Sequence, residues 1–188
     1  MSKKTYFLKQ FWSEKKMVGS MIPSSRYLAK KMLQNVNFKK ARVIVELGPG
    51  TGIFTRKILD QMQEDAKLFV FELNNQFFNR LKEEILDDRL ILIHDSAEYI
   101  QKYLNEAGFL HADYVISSLP LTNFPNKLKE TILKAAHHCL KKEGQFIQFQ
   151  YTLNSKKFLQ SQFDETDIMF TPLNFPPAFI YTCTKNKH

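Results

Sequence analysis

The sequence predicts an α/β protein built on a doubly wound, mostly parallel sheet, preceded by a basic helical extension. Three observations carry this. Short apolar runs of strand length alternate with amphipathic stretches of roughly ten to fifteen residues, the pattern of βαβ units. The first apolar run ends in a glycine-rich turn, Gly48-Pro49-Gly50-Thr51-Gly52, that leads into a helical pattern. The 188 residues amount to one domain of ordinary globular composition, 44% hydrophobic and 24% charged, which supports a sizeable core and argues against a disordered chain.

The elements follow in order. Residues 1–40 precede the first strand and read as helical decoration, with Ser24 and Ser25 placed to cap a helix starting near Arg26. Arg-Val-Ile-Val-Glu-Leu over 42–47 is a continuous apolar run and so a strand covered on both faces. Residues 53–62 carry Phe54, Ile58 and Leu59 at helical spacing. Residues 67–73 are a second strand, reaching Glu72 at its end. Phe77, Phe78, Leu81 and Ile85 set a helix over 75–86. Residues 89–94 are a third strand, followed by Asp95, a helix over 97–106, and a fourth strand over 113–117. A long helix over 126–142 and Gly144 lead into a fifth strand, 145–150. Pro172, Pro176 and Pro177 limit regular structure between about 171 and 177, and 178–184 is a last strand candidate. With no repeat or linker, the chain divides into an extension, 1–40, and one domain, 41–188.

Composition also excludes classes. No apolar stretch approaches the roughly 18 to 20 residues that span a bilayer. Lys3 and Lys4 are followed only by Tyr6, Phe7 and Leu8 before Lys9, which makes no signal-peptide core. Cys139 and Cys183 make neither a disulfide framework nor a zinc site, so no metal is expected and a cytoplasmic protein is the default. The charge is uneven. Residues 1–40 hold ten Lys/Arg against Glu14 alone, a net of +9, while 41–188 hold 17 basic and 18 acidic residues, a net of −1; together they make the formal +8. Lysine enrichment without function would spread evenly, so the block reads as a docking surface for a polyanion, nucleic acid or anionic membrane.

A glycine turn after the first strand lets a ligand approach the backbone closely, with a helix N-terminus facing it. The spacing Gly48-x-Gly50-x-Gly52 departs from the dinucleotide fingerprint and lacks the Lys of a P-loop. Glu46 at the strand's carboxyl end would oppose a pyrophosphate and suits a cationic amine. Acids also stand at the ends of the next two strands, Glu72 and Asp95. Any one of them reads as readily as a solvated loop end; the three together with the glycine loop do not read as coincidence.

Val-Glu-Leu-Gly-Pro-Gly-Thr-Gly over 45–52 resembles motif I of class I S-adenosylmethionine-dependent methyltransferases. The resemblance implies their Rossmann-like fold and S-adenosyl-L-methionine as cofactor. It implies that Glu46, Gly48, Gly50 and Gly52 surround the methionine portion, that Glu72 accepts from both ribose hydroxyls, and that Asp95 and Ser96 reach the adenine. Leu73 flanks the adenosine, Ile53 is more readily core, and Ser117 joins the cofactor set at the end of the fourth strand. A carboxylate suits vicinal hydroxyls because it offers two acceptor oxygens.

The segment after the fourth strand, Ser117-Ser118-Leu119-Pro120-Leu121-Thr122-Asn123, is where such enzymes meet the acceptor. Adenine methyltransferases carry Asn-Leu-Pro-Tyr or Asp-Pro-Pro-Tyr there, an amide or acid for the exocyclic amine and a ring to stack on a flipped base. Here Ser118 replaces the amide and Leu121 the ring, which suits an aliphatic amine or lipid chain. Phe11-Trp12, the stretch 18–29 with Pro23-Ser24-Ser25-Arg26, Ser118-Leu119-Pro120-Leu121 and 174–178 resemble bacterial phospholipid N-methyltransferases. That resemblance implies methyl transfer to the amine of a phospholipid such as phosphatidylethanolamine, with Ser118, Leu119, Pro120 and Tyr151 at the acceptor. Tyr151 is as readily a packed Tyr with a bonded hydroxyl. Adjacent His137 and His138 face different directions on a helix and share no metal. An rRNA adenine methyltransferase, or a non-catalytic cofactor-binding module, are the competing readings. Phe7, Leu8, Phe11 and Trp12 share one helical arc with Lys9 and Lys16 beyond its edge and Lys15 inside it, where its stem must snorkel. Residues 3–18 are therefore expected to lie on an anionic membrane surface, the alternative being a helix that packs its apolar face on the sheet domain. The protein is then peripheral at the inner membrane face, and nucleic acid is the less favoured partner.

Overall fold

The computed structural model describes residues 22–174 and 176–186, so the expected membrane segment, residues 3–18, lies outside the described residues. Helix α1, Ile22–Leu33, comes first. Because it begins at Ile22, positions 24 and 25 fall within it and are not its N-cap. The chain then alternates: β1 Val43–Leu47, α2 Ile53–Leu59, β2 Lys67–Phe71, α3 Asn75–Glu84, β3 Leu90–Ile93, α4 Ile100–Glu106, β4 Ala112–Ser117, α5 Asn126–Cys139 and β5 Leu140–Gln150. A short helix α6, Lys156–Gln160, precedes β6, Glu165–Thr171, and β7, Ala178–Thr184. Short 3-10 turns cover Ala97–Tyr99, Leu121–Asn123 and Leu153–Ser155.

The seven strands form one sheet in the order β3-β2-β1-β4-β5-β7-β6. The strands β1 to β5 run parallel, and β7 lies antiparallel between β5 and β6. Strand order reverses between β1 and β4, the place where open α/β sheets take ligands outside the carboxyl ends of their strands. Side chains alternate across β1. Val43, Val45 and Leu47 join α4 and α5 through Ile100, Leu104, Ile132 and Leu133, while Ile44 joins α1 and α2 through Leu28, Met32, Phe54 and Ile58. Covering both faces requires the unbroken apolar strands seen in the sequence.

Three expectations need correction. The long helix ends at Cys139, not near 142, because fully buried Leu140 turns extended and pairs with Ala112. The strand then passes an irregularity at Glu143, with φ 62°, and Gly144, where a Cβ would stand 2.9 Å from the Lys141 carbonyl. The helix over 97–106 is a 3-10 turn capped by Ser96, then α4. Strand β6 has no counterpart in the sequence reading. It is an edge strand, largely half-exposed, whose Glu-Thr-Asp start hides its apolar half; Pro172 follows it directly.

Candidate active site

The loop after β1 turns on three residues in the left-handed region, Gly48 at φ 71°, Gly50 at 56° and Gly52 at 79°, where a side chain is strained. They differ in purpose. A Cβ on Gly52 would strike Leu81 and Arg56, so that glycine admits α3 against the start of α2. A Cβ on Gly50 would meet nothing within 4 Å, so the backbone there faces open space. The loop is tied to β2: the Gly50 N–H donates to Glu72 Oε2 at 3.2 Å, and the Asn74 N–H donates to Oε1 at 2.7 Å. Asn74 in turn caps α3 by accepting from the N–H groups of Gln76 and Phe77.

Two hollows open at this edge and meet at Gly48 and Leu119. The smaller, about 20 Å³, lies over β2 and β3 and is walled by Glu72, Leu73, Asp95 and Ser96. Asp95 is fixed on both oxygens: Oδ1 accepts from the Ser96 N–H at 2.7 Å and Oδ2 from the Tyr103 hydroxyl at 2.9 Å. His94 braces the wall through Nε2, 3.1 Å from the Leu73 carbonyl, and so is structural. The larger cavity, about 400 Å³, lies over β1, β4 and β5 and includes Gly50, Ile53, Ser118, Leu119, Pro120 and Tyr151 in its wall.

Two buried acids sit beneath the loop. Burial pushes Glu72 up to about 7, against hydrogen bonds from the Asn74 and Gly50 amides that lower it. Burial also pushes Glu46 up to about 8; the neighbouring Thr55 hydroxyl and amide pull it down, and the charge of Glu72 raises it further. Neither oxygen of Glu46 closes a hydrogen bond among the described residues, and neither does the Thr55 hydroxyl. Glu46 is fully buried and lines neither hollow. It alternates with Val45 and Leu47, which puts it on the face covered by α1 and α2. Glu46 thus stands beneath the glycine loop and not in the described wall of either hollow.

Ser118 to Pro120 do wall the larger cavity. The Ser118 N–H donates to the Leu47 carbonyl at 2.9 Å, and its Oγ is buried without a partner among the described residues. Tyr151 follows β5 at the rim, its ring 5.6 Å from that of Phe149 in an edge contact, and burial raises its hydroxyl pKa. Ser117 and Leu121 differ from expectation. Both are fully buried and line neither hollow. Ser117 Oγ accepts from the Leu119 N–H at 3.3 Å and shapes the turn; Leu121 is part of the core.

Sequence reading missed Gln148 and Gln150, polar residues on one face of a buried strand. Their Nε2 groups donate to the Leu119 carbonyl at 3.0 and 3.1 Å, and Gln150 Oε1 accepts from the Thr122 hydroxyl at 3.2 Å. Two side-chain amides thus fix the turn that forms one wall of the cavity. The signal was there: polar residues two apart in an apolar strand point the same way and need partners.

Residues 13–157 match the family model described as ribosomal RNA adenine dimethylase. The chain is 31% identical over 179 residues to the ornithine lipid N-methyltransferase of Singulisphaera acidiphila, covering 94% of this chain and 93% of that one. Among solved structures it is similar to the N-methyltransferase NodS of Bradyrhizobium japonicum WM9 in complex with S-adenosyl-L-homocysteine, at TM-score 0.73 and 9% identity, covering 98% of this chain and 100% of that one. It is also similar to the magnesium protoporphyrin IX methyltransferase of Synechocystis PCC 6803 with its cofactor bound, at TM-score 0.71 and 8% identity, covering 99% of each. At such identities these two structures bear on the fold alone. The fit of S-adenosyl-L-methionine rests on this chain's own features: an open cradle at Gly50 and Glu72 in the wall of the crevice beside it. With motif I, the sheet order and the matches in agreement, the chain belongs to the class I S-adenosylmethionine-dependent methyltransferases, in the family described as ribosomal RNA adenine dimethylase.

Proposed function

We propose that the chain methylates the primary amine of a membrane lipid, a phospholipid such as phosphatidylethanolamine or the chemically similar head group of an ornithine lipid, at the cytoplasmic membrane surface. The observation that carries this reading is the wall of the larger cavity. Its described lining includes Leu28, Ile53, Phe54, Phe77, Leu119, Pro120 and Phe149 but no carboxylate, and the buried Ser118 hydroxyl there has no partner among the described residues. The near full-length likeness to a lipid N-methyltransferase supports it. Glu72 holds the ribose hydroxyls, Leu73, Asp95 and Ser96 border the adenine, and Gly48, Gly50 and Gly52 leave room for the methionine portion.

When bound, S-adenosyl-L-methionine would supply an electrophilic methyl group to the amine, with its own C–S bond exchanged for the new C–N bond and one proton released from the amine per transfer. The chain's part is alignment, the main source of rate in a direct displacement. We assign Ser118 Oγ, buried and without a partner among the described residues, as the acceptor for the amine N–H. The apolar wall disfavours the ammonium form and so favours the neutral nucleophile. Leu119, held by Gln148 and Gln150, sets the wall between the two hollows.

The family description favours adenine as the second reading. Against it stand Ser118 in place of the amide and a buried Leu121 where a stacking ring would be. Purified protein with labelled cofactor, offered phosphatidylethanolamine vesicles, ornithine lipid vesicles and ribosomal RNA, separates them. Label in either lipid is expected; label in adenine and none in lipid would overturn the proposal.

A further inference from the structure

Four large apolar side chains stand out at the carboxyl edge of the sheet: Tyr151 is 37% exposed, Leu153 45%, Phe170 53% and Leu173 72%. The register brings them together. Gln150, next to Tyr151, pairs with Phe179, and Phe179 pairs with Phe170, whose ring centroid lies 5.1 Å from its own. Leu173 belongs to the turn joining β6 to β7, and Leu153 opens the 3-10 turn that follows Tyr151 and touches the one at Leu121–Asn123. The group therefore borders the larger cavity, whose rim includes Tyr151 and Thr152.

Charge divides the same edge. Over β2 and β3 it bears Glu72, Asp95 and Glu98. Around β4, β5 and β7 it bears no acid among the described residues: residues 118–129, 144–163 and 168–186 contain no Asp or Glu, and Lys127, Lys156 and Lys157 are exposed there. The nearest acid on the helix is Glu130, one turn beyond Lys127. Glu130 is paired with Lys134, and Glu165 pairs with Thr184 at the opposite end of the sheet. Apolar side chains scattered singly over a surface need no explanation. Four at one cavity mouth, flanked by lysines and free of acids, match what enters the headgroup region of an anionic bilayer.

We propose that this rim, Tyr151, Leu153, Phe170 and Leu173 with Lys127, Lys156 and Lys157, docks on an anionic bilayer and turns the mouth of the acceptor cavity toward the lipid. The surface is distinct from residues 3–18, and the inference rests on the lipid reading. Docking at this edge lets a head group reach Ser118 while its acyl chains stay in the membrane.

The test uses the full chain with Leu153→Glu/Leu173→Glu, neither residue lining either hollow, and separately Lys156→Glu/Lys157→Glu. Each variant should bind vesicles of phosphatidylglycerol and phosphatidylethanolamine about tenfold more weakly than the original chain. Methyl transfer to vesicle lipid should fall in step, while transfer to a short-chain phosphatidylethanolamine dispersed as monomers is retained. Leu153→Ile/Leu173→Ile should restore vesicle binding. Unchanged binding by either glutamate variant overturns the proposal. So does a lipid-free dimer of the original chain that Leu153→Glu/Leu173→Glu makes monomeric, since the rim would then join two copies. If the original chain methylates no lipid in either form, the acceptor assignment fails instead, a result read independently of vesicle binding.

Discussion

Glu46 is a fully buried carboxyl group with no cation beside it among the described residues, and the lowering effect of Thr55 does not offset the cost of burial. Its pKa, raised by burial to about 8 from an ordinary 4.5, means that the folded protein keeps a proton that the unfolded chain releases. The sign follows: between those values the native state binds more protons than the unfolded state, so stability falls as pH rises. Glu46→Gln keeps the shape and removes the titration. Thermal melts of the cofactor-free protein should show the original chain losing stability between about pH 5 and pH 8, with the variant flatter and more stable at the upper end. Glu72, raised to about 7, leaves a slope of the same sign in both, over a window that closes nearer pH 7. Parallel curves would mean that the buried proton is not on Glu46. At this scale the sequence made residue types legible and directions only in part. The acids at 46, 72 and 95 were evident, but β1 is apolar on both faces, so its alternation was hidden and the face that Glu46 takes was not legible. Leu121 was misread likewise, because a position in a motif does not say which way a 3-10 turn points its side chain.

Between residues and the whole lies the joint of two elements, the glycine loop on β1 and the end of β2, which share one carboxylate. Glu72 holds the N–H groups of Gly50 and Asn74 and, by our assignment, the ribose hydroxyls. Glu72→Ala should therefore loosen the loop and remove the charged acceptor together. Hydrogen bonds to charged groups contribute about 1.5 to 3 kcal/mol, so affinity for S-adenosyl-L-homocysteine should drop roughly tenfold or more by calorimetry. Glu72→Gln, which keeps one acceptor oxygen, should lose less. Equal affinity in all three proteins would place the ribose elsewhere. Elements of this half were legible because each strand ends at a turn residue or an acid and each helix carries its apolar stripe. The second half was less so. Buried Leu140 drew the chain into the sheet before Gly144, the visible stop signal, and β6 lies at an edge where half-exposure blurs its pattern. Gln148 and Gln150 became meaningful only once the Leu119 carbonyl was seen opposite them.

On the scale of the molecule, the sheet separates two tasks along one edge. Glu72, Asp95 and the glycine loop stand over β1 to β3, and the acid-free rim stands over β4 to β7. The charge block of residues 1–40 adds a second basic surface by sequence, with Lys3, Lys4, Lys9, Lys15 and Lys16 inside the first 16 residues. If both surfaces engage one bilayer, each raises the effective concentration of the other at the membrane, and their contributions multiply. Deleting residues 1–16 should leave affinity for S-adenosyl-L-homocysteine unchanged, because the described wall of the smaller hollow and the loop that ties to Glu72 begin at Gly48. Vesicle binding should weaken, and more at low salt than at high, since screening already removes much of the lysine term at high salt. Combining the deletion with Leu153→Glu/Leu173→Glu should abolish co-sedimentation with phosphatidylglycerol vesicles that each change alone only reduces. If the deletion leaves vesicle binding intact while the rim variant removes it, the N-terminal lysines serve another partner. Binding of ribosomal RNA by the full chain but not by the truncated one would identify that partner as nucleic acid.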